Sequence, residues 1–371
     1  MSIKRRFLEF IINKYYSYLG HRAEIKKQRE KKRVAIAKTV ILSKKQKKQI
    51  DSFFKKNYGK RVGYQWHRAY TAISGTFDFK FFPEYFYSPD FQRLSNDPKY
   101  YKGLADKNIF PLIIKGSGLK VKIPHTLFFC SNGVLFDASY NIISLESMVE
   151  TLMQIDSFFI KPSIDSDSGH GCELIKTSEL TNKEIKNIIL QTGSNYVIQE
   201  RIINQDDIAV INPTSLNTFR VVTYFLDGKI YVSPIILRIG RNNSFCDNAH
   251  AGGLFVAVSD NGDIISDGIT EYNERVVTHP NSGISLKGYH IKNVNKIIDS
   301  AQRIASLFPH VGVIDWDLTL DANEDVVVVE GNMFGGGGAW LIQMSHGKSI
   351  FGNNTERVLQ LIKENKPLYN K

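Results

Sequence analysis

VGVIDWDLTL, residues 311–320, and DVVVVEGN, residues 325–332, are two strand-like runs separated by a short polar turn. With residues 322–325 as the turn, they form an antiparallel hairpin in which Asp317 lies opposite Glu330. Directly opposed Cβ atoms are about 4.5–5.5 Å apart. Strand side chains alternate with period two, so Asn332 shares the face of Glu330 and Asp315 that of Asp317. Two carboxylates and an amide oxygen aimed at one point repel each other unless a cation lies between them. They are also the hard oxygen donors that Mg²⁺ takes, with positions left for phosphate oxygens. A solvated hairpin face with one acid per strand would carry the same letters. Against it stands the apolar wall Val326 to Val329, which leads directly into Glu330-Gly331-Asn332. Acids at the end of a buried strand are seldom there for solubility. Gly335 to Gly338 then either bring backbone close to a ligand or form a flexible link.

Further back, Val221–Leu226 and Ile230–Val232 flank Asp227-Gly228, and Leu254–Val258 and Ile264-Ile265 flank Asn261-Gly262. Both dipeptides are hairpin turn signals. Phe158-Phe159-Ile160 and Tyr196-Val197-Ile198 are short buried strands. Thr181 and Glu184 make a capping box for a helix running to Leu190. Val294, Ile297, Ala301, Ile304 and Phe308 recur at helical spacing, and a last helix starts near Asn354. Helices mixed with antiparallel hairpins predict an α+β fold rather than a doubly wound sheet.

Several segments point to an anion. Lys161 ends a strand and precedes a Ser/Gly loop, Pro162 to Gly171, that contains Ser166, Ser168, Gly169 and Gly171. Such a loop turns backbone N–H groups toward phosphate, although it lacks the Gly-Lys-Ser/Thr of a P-loop. Lys107 lies in a polar break, Asp106-Lys107-Asn108. Gln199-Glu200-Arg201-Ile202 follows a strand and offers backbone edges to a base, with Asp207 near a ribose; taken alone it is only a loop. Arg220 and Arg238 fall inside strands, where an arginine must face solvent or an anion. Asn248, with Gly252-Gly253 after it, is a candidate for the same cavity.

The chain has 371 residues and a formal charge of +11. Residues 1–62 hold 20 Lys and Arg against 4 Asp and Glu, a net of +16; the rest holds 28 against 33, a net of −5. The charge therefore belongs to a basic helical N-terminal extension and is not a nucleic-acid surface spread over the protein. That extension is either a solvated helical arm or a peripheral contact with anionic lipid or a membrane-bound partner. Nucleic acid is the least favoured partner. Cys130, Cys172 and Cys246 have no metal or disulfide spacing and read as reduced thiols. No run is long and apolar enough to span a membrane, and the amphipathic Met1–Leu19 has no cleavage site after it. The expectation is a cytoplasmic protein, with the inner face of the membrane as a peripheral location.

The order of motifs resembles the ATP-grasp superfamily, and within it the sugar-transfer-associated family found with polysaccharide biosynthesis. The resemblance rests on Trp66-His67, Asp106-Lys107-Asn108, Phe159-Ile160-Lys161-Pro162 and Ile198-Gln199-Glu200. It continues through Ser215-Leu216-Asn217-Thr218-Phe219-Arg220-Val221-Val222-Thr223, Trp316-Asp317 and Glu330-Gly331-Asn332, and covers about residues 60–365. It implies an ATP-grasp fold of two α+β subdomains gripping ATP: residues 61–200 with the phosphate loop, and 201–371 with the metal site, after the extension 1–60. By the same resemblance Lys107 and Lys161 hold the α/β-phosphates, the 163–171 loop closes over them, and residues 199–202 bind adenine. Asp317, Glu330 and Asn332 hold Mg²⁺, with Mn²⁺ as a substitute. Arg220 stabilises the transferring phosphoryl group, with Arg238 beside it or on the acceptor, and Asn217 belongs to the same catalytic segment. Ser168-Gly169-His170-Gly171 departs from the consecutive glycines of related loops. The implied activity is ATP-dependent ligation of a carboxylate to an amine in surface-polysaccharide or sugar-acid conjugate assembly. A phosphotransferase and a silent nucleotide-binding scaffold are the alternatives.

Overall fold

Antiparallel ladders organise the computed structural model, which describes residues 3–164, 171–249, 252–272 and 274–364. A five-stranded sheet is built from β1 (Thr126–Ser131), β2 (Val134–Asp137), β3 (Ser157–Pro162), β4 (Glu173–Lys176) and β5 (Tyr196–Glu200), in the order β2-β1-β5-β3-β4. Helices Leu145–Leu152 and Asn182–Thr192 cover it, packing Met148, Leu152, Ile185 and Ile189 against Phe158, Ile160 and Ile198. The second of these helices starts at Thr181, whose side chain and that of Glu184 form the expected capping box.

The larger sheet has eight strands. They are β6 (Thr218–Leu226), β7 (Lys229–Val232), β8 (Ile235–Ile239), β9 (Leu254–Val258), β10 (Gly268–Ile269), β11 (Arg275–Val276), β12 (Val313–Leu320) and β13 (Val326–Asn332). Their order is β11-β10-β9-β8-β6-β12-β13, with β7 paired to β6. Helix Val294–Ala305 packs Ile297, Ala301 and Ile304 against one face, next to Trp316 and Leu318. Helices Gln65–Ser74 and Gly338–His346 bring Tyr70 and Ile342 to a separate core with Val222 and Ile236. With both faces covered, β12 is buried along its whole length.

Asp227 and Gly228 have φ of 47° and 81°, the left-handed pair that a tight two-residue hairpin turn requires. The Asn261-Gly262 turn also forms, but Ile264-Ile265 is not a strand. Ile264 makes a single bridge to Val258 and Ile265 N–H donates to Ala257 O, while on the other edge Ile264 N–H donates to Tyr289 O and Ile291 N–H to Gly262 O, so the pairing with β9 stops after one bridge. In the β12–β13 hairpin Asp317 pairs with Glu330 as expected. Nearer the turn the register differs by one, with Leu318 opposite Val328, and a bulge restores the expected pairing at the acidic end.

Residues 3–57 form helices Ile3–Gln28, Lys31–Lys38 and Lys44–Asn57. Ile36, Leu42, Ile50, Phe53 and Phe54 are buried in the same core as Tyr70, Phe86 and Val358. On the first helix Ser17 Oγ and His21 Nε2 bond the carboxylate of Asp90, while Ile11, Ile12, Tyr15, Tyr16, Tyr18 and Leu19 are exposed. The segment is therefore docked on the body along one face and bare on the other. Among the described residues no helix is long and apolar enough to cross a membrane.

Candidate active site

A cavity of about 770 Å³ opens between the two sheets. Its floor is a row of charge running across three strands. Arg220 on β6 is the direct neighbour of Asp317 on β12, which is the direct neighbour of Glu330 on β13. Arg220 Nε donates to Asp317 Oδ1 at 2.7 Å. Arg238, from β8, places Nη2 at 2.9 Å from Asp317 Oδ2 and Nε at 3.6 Å from Asp247 Oδ2. Asp247 is held in turn by Thr218, whose N–H donates to it at 2.9 Å. Burial disfavours the charge on Arg238, but Asp247 and Asp317 outweigh it and hold its pKa above the ordinary arginine value. Burial likewise raises Asp247, against the pull of Arg238.

The glycines after β13 are pinned over this row. Gly335 N–H donates to Gln92 Oε1 at 3.0 Å, Gly338 N–H to Asp315 Oδ2 at 3.2 Å, and Arg220 Nη1 donates to Gly336 O. Gly336 has to be glycine, since a Cβ there would lie 2.6 Å from Asp315 Cβ. Asp315 itself is fully buried and accepts from Tyr87 Oη at 2.8 Å, so it is a support for the loop and not an open ligand. Burial raises its pKa despite Arg220 and Tyr87.

The smaller sheet supplies the roof. Lys107 Nζ is 3.1 Å from Glu330 Oε1, and Lys107 N–H donates to Ser163 O at 2.9 Å, tying the 106–108 turn to the end of β3. Lys161, the penultimate residue of β3, lines the cavity. Burial pushes its pKa down, Glu330 pulls it up, and neighbouring Lys107 lowers it again. Beside it Phe159, Gln199, Glu200, Ile202, Leu216 and Phe245 form a flatter, partly apolar wall. The whole site thus joins four cations to a carboxylate pair at the seam of two sheets.

Residues 87–359 match the family described as "Sugar-transfer associated ATP-grasp". The chain belongs to that ATP-grasp family. No curated sequence matches it. Among solved structures it is similar to the L-amino acid ligase from Bacillus licheniformis, at 14% identity over 71% of this chain and 48% of that one, with a TM-score of 0.40. It is also similar to D-alanyl-alanine synthetase A from Vibrio cholerae, at 16% identity over 73% and 67%, TM-score 0.43. A third is N5-carboxyaminoimidazole synthetase from Staphylococcus aureus, at 13% identity over 64% and 48%, TM-score 0.37. The chain spans about half the length of the amino acid ligase it matches.

Not every residue expected at the site faces the cavity. Asn217 is fully buried and spent on structure. Its Nδ2 donates to Asn212 O and Ile208 O, and its Oδ1 accepts from Ser215 Oγ at 2.6 Å. Asp207 is not part of the lining; its carboxylate accepts from Lys292 N–H at 2.7 Å and from Gln205 Nε2, which organises the 289–292 crossing. Arg201 is exposed and donates to Pro213 O at 3.3 Å, outside the cavity. Ser166, Ser168 and Gly169 lie outside the described residues. Gly171 has φ +72°, and a Cβ there would approach Pro162 Cγ to 2.9 Å. The three cysteines are free thiols; Cys172 and Cys246 line the cavity, and burial raises both pKa values.

Asp317 and Glu330, directly opposed, and Asn332, on the same wall, are oxygen donors of the kind Mg²⁺ or Mn²⁺ takes. Arg220, Arg238 and Lys107 bring positive charge to this pair. The donor set fits a divalent ion. Among the described residues no cluster of three His, Cys, Asp or Glu forms a metal site of another kind.

Sequence reasoning missed the far end of the cavity. Arg33 lies over the Trp340 ring at 4.1 Å, 2.8 Å from Glu84 and 3.8 Å from Glu271, and all four residues line the cavity. Burial raises the Glu84 pKa to about 7, although Arg33 lowers it. Arg33 and Glu84 stand before the family-matched span, and nothing local to either one marks it as part of a site.

Proposed function

We propose that this chain is an ATP-dependent ligase that joins a carboxylate to an amine through an acylphosphate. The observation that supports it is the meeting of Lys107, Lys161, Arg220 and Arg238 with the opposed Asp317 and Glu330 in one cavity. Residues 61–200 supply the phosphate-binding half and residues 201–371 the carboxylate half. Lys107 and Lys161 hold the nucleotide phosphates, and the Phe159–Gln199–Ile202 wall takes the base. Asp317, Glu330 and Asn332 would hold Mg²⁺, which would supply positive charge to offset that of the phosphate oxygens.

Lys107 rests on Glu330 and Arg220 on Asp317, so the arriving nucleotide exchanges carboxylate partners for phosphate ones without creating unpaired buried charge. A substrate carboxylate oxygen attacks the γ-phosphorus and ADP leaves; Arg220 and Arg238 stabilise the charge spread over the transferring group. The amine nitrogen then attacks the acyl carbon, phosphate departs, and the nitrogen releases a proton to give the amide. Family membership supports surface-polysaccharide assembly as the setting, by analogy alone.

The test is ADP release from Mg-ATP with pooled uronic acids and amino acids, separately and together. Ligation requires release that depends on both pools, with an amide product. Release with one pool alone makes the protein a phosphotransferase, and no release makes it a binding module.

A further inference from the structure

We propose that the N-terminal helical layer carries a second binding site, for a hydroxyl-bearing phosphate ester. A cleft of about 560 Å³, within the range of ligand pockets at about 300–1,000 Å³, lies between the end of helix Ile3–Gln28, the 58–66 loop and the Pro83–Phe86 segment. All its lining residues fall between 25 and 86, before the family-matched span and apart from the cavity between the two sheets.

Three features name the ligand chemistry. The first is a set of polar atoms with no partner. Gln28 is 5% exposed and Trp66 4%, and Gln28 Oε1, Gln28 Nε2 and Trp66 Nε1 make no hydrogen bond within the protein. Buried polar groups in native proteins are nearly always satisfied, so an outside group is expected to meet them. The second is aromatic surface: Tyr58 and Phe86 rings are 4.6 Å apart, and Trp66 and Tyr85 5.9 Å apart. The third is charge. Arg29, Lys60 and Arg61 line the cleft and no acidic residue does, although Asp51 stands 3.4 Å from Arg61 outside it.

Gln28 Oε1 needs a donor, which a dianionic phosphate lacks, so phosphate alone leaves it unmet. Hydroxyls serve both ends of the amide, and a ring or carbon chain rests on the aromatic faces. The phosphate meets Arg and Lys at the rim. A soluble sugar phosphate and a phosphoglycerol lipid headgroup share this chemistry.

The full chain is titrated calorimetrically with glucose 1-phosphate and glycerol 1-phosphate, with glucose and inorganic phosphate as references, and floated on phosphatidylglycerol/phosphatidylcholine vesicles. Binding of a phosphate ester at least about tenfold tighter than inorganic phosphate, without flotation, assigns a soluble ligand. Flotation that is lost in the Arg29→Ala/Lys60→Ala/Arg61→Ala variant and kept in Ile12→Asp/Tyr16→Asp, on the bare face of the first helix, assigns a lipid headgroup in the cleft. In either arm that triple variant and Gln28→Leu lose about tenfold or more, while Asp317→Asn in the other cavity binds as the parent does. Gln28→Leu also keeps or raises the melting temperature without ligand, since it removes orphaned polar atoms. The site is overturned if no ester or vesicle binds better than inorganic phosphate, or if binding survives both the triple variant and Gln28→Leu. In those cases the cleft holds water only.

Discussion

Asp317→Asn is the sharpest perturbation of the main site, because one carboxylate anchors two buried arginines. Its side chain is 7% exposed, those of Arg220 and Arg238 are 7% and 9%, and the contacts are 2.7 and 2.9 Å. Hydrogen bonds to charged groups contribute about 1.5–3 kcal/mol each. The amide keeps the shape and one acceptor oxygen, so about one such bond is lost outright and the other becomes neutral. Arg238 retains Asp247 at 3.6 Å, and Arg220 retains Gly336 O, which limits the loss. The expected destabilisation is about 2–4 kcal/mol, below the ~3–5 of a broken pair that leaves a bare charge. At about 2–4 °C per kcal/mol, typical of domains of about 150–250 residues, the melting midpoint falls by roughly 4–16 °C. The same change removes half of the carboxylate pair offered to Mg²⁺. The upward midpoint shift that Mg-ATP gives the parent should therefore shrink toward zero, because a ligand stabilises only in proportion to its binding. Differential scanning fluorimetry with and without Mg-ATP reads both effects. A variant with the parent's midpoint and the parent's nucleotide shift would refute both the buried anchor and the metal assignment.

Gly336→Ala pushes a methyl group into Asp315 and lifts the loop from Arg220. Turnover should fall about 10²-fold, the effect of a displacement of about 1 Å, with the fold retained by circular dichroism. Glu84 has a folded pKa of about 7 against 4.5 in the unfolded chain. The folded state holds that proton more tightly, so the associated stability is present below about pH 4.5 and is lost as pH rises to about 7. Glu84→Gln should flatten that part of the stability–pH curve; an unchanged slope in chemical denaturation between pH 4.5 and 7 rejects the assignment. The bare face of the first helix, with six exposed large apolar side chains next to Arg22, Lys26 and Arg29, suits an anionic lipid surface. If vesicles are bound through that face and not through the cleft, Ile12→Asp/Tyr16→Asp loses flotation that Lys60→Ala/Arg61→Ala keeps, without lowering the melting midpoint; equal flotation of variant and parent ends that idea. Removing residues 1–60 is not a usable test, because Ile36, Ile50, Phe53 and Phe54 belong to the core.

What could be read from the chain was mostly local. Asp317 and Glu330 are 13 positions apart on one hairpin, and period-two alternation suffices to oppose them. Thr181 with Glu184, and Asp227 with Gly228, are signals within four residues, and each formed as expected. The turn after β12 was misjudged by one residue, and the bulge near Val328 hid the error at the acidic end. Asn217 stands in one motif and Asp207 a few residues after another, yet their polar atoms are consumed by Asn212, Ser215 and Lys292. A motif gives residue type and spacing but does not say whether a hydrogen-bond partner is already present.

The sequence by itself determined an α+β chain of antiparallel hairpins, a basic helical start, and the opposition of Asp317 to Glu330 across one hairpin. Tertiary structure alone decided which polar groups share a cavity. On β12, buried on both faces, apolar and polar residues no longer sort into core and solvent sides, so Asp315 and Asp317 look alike in the text. Their fates diverge only because Tyr87 and Gly338 arrive over one, and Arg220 and Arg238 over the other. Arg33 reaches the same cavity from some 290 residues before β13. Such contacts follow from how the layers pack, and no period within one element encodes them.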